Sequence, residues 1–296
     1  TYPMMFYRKD ILQELGISLP NTWQDVLSIL PVLQKNQMNF ALPSAVGTIG
    51  ATMSMFSTML FQNGGVLYQE DGIACALDSR KSIEAFSFLT TLYSDYEIPV
   101  AIDFANRFRT GETPIGIADY SLYNQLSVFA PELEGIWDFT TIPGVVQEDG
   151  SIDRTAAGAV SGCIIMSKSK HVDKAWRFVK WWASTEAQTK FGRELESVIG
   201  TAARYPAANL ETLNQIPWSK EQIKQLSEQR KQVKGIAEYP GGYYMSRYVD
   251  FAFRDVINKS ADAGRTIMNS AKMINQEITA KRREFNLPVS GQETGK

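Results

Sequence analysis

Short apolar runs of strand length alternate with amphipathic helical segments along most of the chain, and this alternation constrains the fold more than any other feature. The strand-like runs cover residues 3–7, 40–43, 114–118, 137–142 and 159–166. The helical patterns between and after them cover residues 9–15, 22–34, 49–63, 78–95, 122–129, 172–184 and 185–193. Strands that alternate with helices predict an α/β fold with a mixed, mostly parallel sheet flanked by helices.

The remaining segments are less regular. Residues 66–69 and 74–77 have the pattern of a hairpin, and residues 245–260 and 264–284 predict two long closing helices. Residues 201–236 are polar, carry few apolar anchors and are bounded by irregular segments. We therefore interpret residues 201–236 as an excursion into a second body that this chain supplies only in part.

Charge and hydropathy exclude several partners. The 296 residues include 30 Lys+Arg and 32 Asp+Glu, for a net charge of −2. Such a balance produces no long-range field that would attract nucleic acid, so no nucleic-acid partner is predicted. The longest apolar stretches, such as residues 53–61, are far shorter than the ~20 residues of a membrane helix. At 44% hydrophobic residues, the composition supplies enough apolar side chains for a sizeable core.

Cysteine and histidine are too rare for several kinds of site. With two cysteines and one histidine, the chain cannot form a Cys/His zinc site. Cys75 and Cys163 both lie in apolar, strand-like contexts, which predicts two buried free thiols rather than a disulfide. His171 stands in a charged lead-in to a helix and is interpreted as a solvated residue near the helix start rather than a general base.

Catalytic and cofactor motifs are absent from the sequence. It contains no GxxxxGK[ST] loop, HExxH, GxSxG or EF-hand spacing. Glu132 and Glu134 could suggest a glycosidase, in which two carboxylates flank the scissile bond. Their context, Pro-Glu-Leu-Glu-Gly, is more typical of a solvated turn. The sequence therefore predicts no enzyme activity, no cofactor and no metal site.

Aromatic and polar residues are concentrated at two predicted loops. One group lies between Asp119 and Tyr123, and the other between Tyr239 and Tyr248. In open α/β sheets, ligands bind beyond the carboxyl ends of the strands, where such loops meet. Tyrosine rings can stack on the C–H face of a sugar while acids and arginines bind its hydroxyls. The alternative is that several of these tyrosines serve only packing, since an amphipathic ring suits both settings.

Five segments, in order, resemble extracytoplasmic sugar-binding proteins of ABC importers, the maltose-binding-protein class. The matching segments are Met-Phe-Tyr-Arg-Lys-Asp…Pro-Asn-Thr-Trp-Gln-Asp at 5–25, Phe-Arg-Thr-Gly-Glu-Thr-Pro-Ile at 108–115, Leu-Glu-Gly-Ile-Trp…Ile-Pro-Gly at 133–144, residues 159–167 followed by Lys-Ala-Trp-Arg-Phe…Thr-Glu-Ala-Gln at 174–188, and the closing helix pair around 256–278. Each motif is loose alone, but five in register over nearly the whole chain are fairly specific.

The resemblance implies a periplasmic-binding-protein-like fold of type II, in which two lobes close on a ligand. Residues 1–200 and 243–287 would form the carboxyl-terminal lobe. Residues 201–242 would hold the crossover segments and a fragment of the amino-terminal lobe, and residues 288–296 would be a loose tail. The chain would cross between lobes at residues 1–3, near 200–206 and near 239–243. The rest of the amino-terminal lobe, with any signal peptide or lipid anchor, is expected upstream, which makes this a truncated two-lobe architecture.

The resemblance transfers to site residues only in part. The family's Gly-Pro-Trp after the Gly-Glu-Thr strand corresponds here to Asp119-Tyr120-Ser121, so Tyr120 or Tyr123 would replace the tryptophan on the sugar. The aligned tryptophan near the third crossing falls at Val249, so the tyrosines just before it are the candidates there. The predicted ligand-binding residues are Ser44, Asp119, Tyr120, Tyr123, Gly158, Tyr243, Tyr244, Arg247 and Tyr248.

The resemblance thus implies a non-catalytic receptor that binds a mono- or oligosaccharide outside the cytoplasmic membrane. It would act as a monomer when complete and present its ligand to ABC permease subunits. A second hypothesis keeps the fold but not transport: a sensing or interaction module that presents a ligand to a membrane receptor. A third is a glycan-processing enzyme that uses Glu132, Glu134 or Asp119, although no motif places a pair of carboxylates.

Overall fold

The computed structural model describes residues 1–45, 50–69 and 72–289. Helices pack around a small mixed sheet, which confirms the α/β fold class. The strands are β1 (Pro3–Arg8), β2 (Phe40–Ala41), β3 (Ile115–Asp119), β4 (Trp137–Thr140), β5 (Val145–Val146), β6 (Ile152–Asp153), β7 (Ala156–Gly158) and β8 (Val233–Gly235). The helices are α1 (Lys9–Glu14), α2 (Trp23–Lys35), α3 (Ala51–Gln62), α4 (Arg80–Ser94), α5 (Phe104–Thr110), α6 (Leu122–Phe129), α7 (Val172–Trp182), α8 (Thr185–Ile199), α9 (Leu210–Leu213), α10 (Lys220–Lys231), α11 (Tyr244–Lys259) and α12 (Ala263–Glu284).

Local signals explain where several helices begin. Thr22 caps α2 reciprocally with Asp25, because its hydroxyl accepts from the Asp25 N–H while the Asp25 carboxylate accepts from the Thr22 N–H. Ser79 and Ser184 cap α4 and α8 with their hydroxyls. Pro31 lies inside α2 without ending it. These helices were predicted from the sequence, and the structure confirms them.

The main sheet has the strand order β2-β3-β1-β4. Strand β1 runs antiparallel to both β3 and β4, and only β2 and β3 are parallel. The sheet is therefore mixed, as predicted, but its strand pairs are mostly antiparallel rather than mostly parallel. Apolar periodicity indicates that a strand is buried but does not encode the direction of its neighbours.

The first four residues of strand β1, Pro3 to Phe6, are all apolar and buried because both faces of the strand are covered. Met5 belongs to a core cluster formed with α2, α3, α4, α11 and α12. Met4 and Phe6 point to the opposite face and belong to a second cluster with α5, α6 and residues from the 210–231 region. Successive side chains of a strand alternate between faces, so a strand between two layers needs apolar residues at every position.

Residues 210–231 pack on this second face of the sheet. Leu213, Ile216, Trp218 and Leu226 are buried members of the second cluster. The Trp218 ring lies 6.0 Å from that of Phe139 in β4. We predicted a fragment of the other lobe for this stretch. Its apolar residues are few but concentrated on the side that meets the sheet.

The buried strand predicted at residues 159–166 is wrong. The strand is β7, three residues long and directly before this run, and it pairs in parallel with β8. Val160 is 84% exposed and Ile164 81% exposed. The run is as apolar as a core strand, which is why its pattern predicted burial. In the described part of the chain no element covers it.

Two further differences concern short strands. The hairpin predicted around residue 71 is reduced to a single bridge between Tyr68 and Cys75, and residues 70–71 of its turn lie outside the described residues. The loop predicted at 147–153 instead holds the turn of a hairpin and its second strand, β6, which pairs with β5. Its two-residue strands are too short to leave a periodic signal.

The two cysteines differ in their surroundings. Cys75 is buried and free, as predicted, whereas Cys163 is exposed and that prediction is wrong. Cys163 lies in the uncovered run at 159–166. Burial raises the pKa of the Cys75 thiol to about 11, and the thiol donates to the Ala271 carbonyl at 3.5 Å.

We therefore expect a thiol reagent at pH 8 to modify one cysteine of the native chain quickly. Cys163 reacts because it is accessible, and Cys75 does not because the thiolate is the nucleophile and its formation is disfavoured. Titration with a chromogenic disulfide reagent, with and without denaturant, measures this. We expect one rapidly reacting thiol in the folded chain and two in the unfolded chain. The Cys163→Ser variant should lose the fast phase. Fast labelling that persists in this variant would show that Cys75 is accessible.

The same burial makes folding less favourable at high pH. Because the folded-state pKa of Cys75 is raised, the unfolded chain releases the thiol proton first. Stability therefore falls as the pH rises from about 9 toward 11.

Candidate functional site

Several segments end at one edge of the main sheet. Strand β1 begins there and β3 ends there, since Pro3 pairs with Asp119. The Thr1 amino group donates to the Ala159 carbonyl at 2.7 Å, so the end of β7 lies there as well. Gly158 pairs with Gly235 at the end of β8. This edge is where an open α/β sheet gathers its loops.

Four of the predicted ligand residues lie at this edge. Asp119, Tyr120 and Gly158 come together around the start of β1, since the Tyr120 N–H donates to the Tyr2 carbonyl at 3.2 Å. Ser44 follows the carboxyl end of β2, which is parallel to β3 and so ends at the same edge. Residues 46–49, which continue the Ser44 loop, lie outside the described residues.

A cavity of about 600 Å³ opens at this edge. Its wall combines three tyrosine rings with one arginine: Tyr2, Tyr120, Tyr205 and Arg230. The rings of Tyr2 and Tyr120 lie 4.8 Å apart. Burial raises the pKa of Tyr2 to about 12 and also raises that of Tyr120. The Tyr2 hydroxyl donates to the Leu226 carbonyl at 3.0 Å. A wall of this kind suits an uncharged, polyhydroxylated ligand.

Tyr120 is only 4% exposed and packs against Trp218 as well as Tyr2. Its ring is thus a wall of the cavity and a member of the second core cluster at once. Gly158 allows β7 to pack closely against β8, since a Cβ at this position would lie 2.3 Å from Cγ1 of Val233. Asp119 accepts from the Ser121 N–H at 2.9 Å, which shapes the turn after β3.

Tyr123 lies away from this cavity. Its ring packs 5.4 Å from Trp137 and 4.7 Å from Trp218, and it lines a different depression of about 420 Å³ with Lys9 and Glu134. Tyr120 precedes α6, whereas Tyr123 lies in its first turn. Both rings pack against Trp218, but of the two only Tyr120 lines the cavity.

The other four predicted residues form a separate aromatic cluster at the start of α11. Tyr243 and Tyr244 have ring centroids 4.3 Å apart, and Tyr248 lies 6.2 Å from Tyr244. The guanidinium of Arg247 lies 5.7 Å from the Tyr244 ring centre. Tyr243 is 54% exposed, so this cluster presents open ring faces to solvent. Helix α11 packs against α3 and α12, which fixes the position of the cluster.

Sequence reasoning missed an arginine that supports this region. Arg204 is 7% exposed, and its Nε and Nη2 donate to Glu196 at 3.0 and 2.6 Å. Its guanidinium lies over the rings of Tyr123 and Trp218, at 5.0 and 4.6 Å from their centres. Arg204 precedes Tyr205 of the cavity wall and so anchors that wall to α8. Tyr2 and Arg230 were also missed, because neither stands in a recognisable motif.

Two of the alternative catalytic residues, Glu132 and Glu134, are solvated, as predicted. Glu132 and Glu134 are exposed at the short turn Pro131–Leu133, and Glu132 forms an ion pair with Arg109. The hydrogen bond from Arg109 lowers the pKa of Glu132, which is opposite to the raised pKa that a glycosidase acid needs. His171 is exposed at the start of α7 and makes no side-chain capping bond.

Among the described residues, no cluster of His, Cys, Asp and Glu could hold a metal ion. Nor is any helix in the described ranges long and apolar enough to cross a membrane.

The architecture is that of the type II periplasmic binding proteins. Among similar solved structures, the sugar-binding protein MalE from Xanthomonas citri has a TM-score of 0.74 and 16% identity, covering 97% of this chain and 71% of its own. A solute-binding protein from Thermotoga lettingae TMO, bound with alpha-D-tagatose, has a TM-score of 0.70 and 18% identity, covering 93% and 70%. The maltose-binding protein MalE from Listeria monocytogenes, in complex with maltose, has a TM-score of 0.68 and 16% identity, covering 95% and 71%.

The family model for bacterial extracellular solute-binding proteins matches residues 1–189. The chain therefore belongs to this family, as its motifs indicated. No curated protein sequence matches it. Family and fold are those of non-catalytic binding proteins.

Proposed function

We propose that this chain is the carbohydrate-binding receptor component of a bacterial ABC importer. It works outside the cytoplasmic membrane, as a monomer when complete, and presents a mono- or oligosaccharide to the permease subunits. The ligand lies in a cleft between two lobes, and no chemistry is performed on it. Nothing in the described residues favours the sensing module as an alternative.

The observation that carries this proposal is the tyrosine-lined cavity at the strand ends. The rings of Tyr2, Tyr120 and Tyr205 line it together with the side chain of Arg230. The similar solved proteins named above include one bound with tagatose and one with maltose, which supports a sugar as the ligand. The exposed tyrosines at the start of α11 supply further stacking surfaces.

A thermal-shift screen of mono- and oligosaccharides tests this function. A ligand present at a hundredfold its dissociation constant adds about 2.7 kcal/mol of apparent stability. The screen is run on this chain and on the complete product of its gene. We expect a sugar that raises the melting temperature of the complete product. If no sugar raises the melting temperature of either polypeptide, the proposal that the ligand is a carbohydrate is wrong.

Tyr244→Ala is the clean probe of the site. Its ring is half-buried in a surface cluster, so its removal should lower sugar affinity about tenfold, from lost stacking, without unfolding the chain. Isothermal titration calorimetry on the complete product measures the affinity. Phe129→Ala, which removes an exposed ring on α6, is the matched control and should bind normally. If Tyr244→Ala and the control bind the sugar with equal affinity, Tyr244 does not contact the ligand.

Tyr120 needs a milder substitution because its ring is part of the core. Tyr120→Phe keeps the ring packed against Tyr2 and removes only the hydroxyl. Its melting temperature should stay near that of the unmodified chain while sugar affinity falls. Unchanged affinity would make Tyr120 a packing residue only.

A further inference from the structure

A second depression of the surface lies at the start of strand β4, away from the cavity at the strand ends. Its volume is about 420 Å³, and Tyr123 and Trp137 are among its lining residues. We call it the β4 depression. Trp137 pairs with Arg8, at the end of β1 that lies about 17 Å of strand away from Pro3 and the cavity. The two sites share no lining residue.

Two aromatic rings form a fixed corner in the β4 depression. The ring centroids of Tyr123 and Trp137 lie 5.4 Å apart, and the ring planes meet at 52°. Trp137 is stacked on Phe6 at 6.0 Å, and the guanidinium of Arg204 lies 5.0 Å from the centre of the Tyr123 ring. Both rings are only half-buried, so part of each remains open. Rings held in place in this way can stack on the C–H face of a sugar.

Three charged side chains line the β4 depression beside these rings: Lys9, Glu134 and Asp138. Within the described residues, none of the three belongs to an ion pair. Oδ1 of Asp138 accepts from the Phe139 N–H at 3.0 Å, and its other carboxylate oxygen has no protein partner there. These charges are therefore available to a ligand.

The charges of the β4 depression favour an uncharged ligand with many hydroxyl groups. The two carboxylates disfavour an anion, and the ammonium of Lys9 disfavours a cation. An apolar ligand would desolvate all three charges without replacing their hydrogen bonds. A hydroxyl both donates and accepts, so a polyol satisfies carboxylates and ammonium together. The volume is near the lower end of the range for ligand pockets, which suits one or two sugar rings.

We propose that the β4 depression is a second carbohydrate site, which takes an uncharged mono- or disaccharide. A sugar ring stacks on Trp137 and Tyr123. Its hydroxyls donate to Asp138 and Glu134 and accept from Lys9. This site is independent of the function proposed for the cavity at the strand ends, because the two have no residue in common.

Fluorine NMR of the 296-residue chain, labelled with 5-fluorotryptophan, tests the site directly. Trp137 is one of six tryptophans, and its resonance is identified by its loss in Trp137→Phe. The probes are D-glucose, D-galactose, D-mannose, D-tagatose and maltose, each added alone up to about 100 mM. At least one should shift the Trp137 resonance saturably, with the roughly millimolar affinity expected for so small a ligand. The resonance of Trp23, which lies in the other core cluster, should not move. No saturable shift of Trp137 with any of the five sugars would overturn the proposal.

Asp138→Asn probes the polar side of the β4 depression. The asparagine keeps an oxygen for the Phe139 N–H and removes only the charge, so the fold should be preserved. The half-saturating sugar concentration should rise about tenfold, because a hydrogen bond to a charged acceptor is replaced by a weaker one. Asp153→Asn is the matched control, since Asp153 also lies in a strand and accepts a backbone N–H, that of Thr155 at 2.7 Å. Equal affinities in the two variants would contradict the assignment.

Two charged sugars test the predicted charge of the ligand. D-Glucosamine carries an ammonium and D-glucuronate a carboxylate, so each should bind more weakly than the uncharged sugar that shifts Trp137. Tighter binding of either charged sugar would overturn the assignment of an uncharged ligand.

A variant of the first site shows whether the two sites are separate. Tyr244→Ala should leave the Trp137 titration unchanged, since Tyr244 does not line the β4 depression. Loss of the Trp137 shift in this variant would show an effect relayed from the first site and would overturn the proposal. A melting temperature alone does not distinguish the two sites, so the Trp137 resonance is the deciding measurement. Failure of the first site to bind any sugar would not alter this resonance, so the two proposals fail separately.

Discussion

Replacing Arg204 with alanine is expected to lower the free energy of unfolding by about 3–5 kcal/mol, as for removal of one partner of a buried ion pair. The side chains of Arg204 and Glu196 are 7% and 11% exposed, so solvent does not replace the lost contact. The carboxylate of Glu196 would remain nearly buried, but it would lose the hydrogen bonds that it now accepts from two N–H groups of Arg204. The variant also removes the guanidinium that lies over the rings of Tyr123 and Trp218.

Urea unfolding followed by circular dichroism measures this effect. Arg204→Lys keeps the charge but has one ammonium in place of a planar fork, so an intermediate loss is expected. Arg80→Ala is the matched control. Arg80 also pairs with a glutamate, Glu84, but is 91% exposed, and its removal should leave the unfolding midpoint unchanged. If Arg204→Ala behaves like this control, the buried pair does not stabilise the fold.

The Arg204–Glu196 pair also shows what the sequence could not reveal. The two residues are eight positions apart, on either side of the end of α8, and no helical or strand spacing connects them. By contrast, the boundaries of α2 and α4 followed from capping residues that act within four positions. Signals within one element can be read from the sequence, whereas contacts between elements need the fold.

The residues of the candidate site also fall into those that the sequence could predict and those that only the fold brings together. Asp119, Tyr120 and Gly158 were predicted together, and they meet because strand ends gather at one edge of a sheet whatever the strand direction. Tyr123 was grouped with them by proximity in the sequence, but its ring packs against Trp137 and lines a different depression. Tyr205 and Arg230 enter the cavity from irregular or polar segments that carry no pattern.

The run at 160–166 illustrates a different limit. Its composition predicted a buried strand, and the structure leaves it uncovered. Apolar periodicity reports that a segment needs a partner, but it does not say whether that partner lies in the same polypeptide.

Replacing Gly241 with alanine should have the second large effect, about 2–5 kcal/mol of lost stability, the sum of left-handed strain and overpacking. Gly241 has φ +85°, which an alanine adopts only with strain. A Cβ there would also lie 2.6 Å from Cα of Ile278 and 2.7 Å from the Glu277 carbonyl oxygen. Both atoms belong to the backbone of α12, so no side-chain rotation can relieve the contact.

Gly135→Ala separates the two causes. Gly135 has φ +83°, but no heavy atom lies within 4 Å of the Cβ position, so only the strain of about 1–2 kcal/mol applies. Urea unfolding of both variants should therefore give the larger loss for Gly241→Ala. Equal losses would show that α12 moves aside at no cost. Because Gly241 directly precedes Gly242 and the tyrosines that open α11, relief by movement of the turn would shift Tyr243 and Tyr244. Gly241→Ala should then also weaken sugar binding in the complete protein, whereas Gly135→Ala should not.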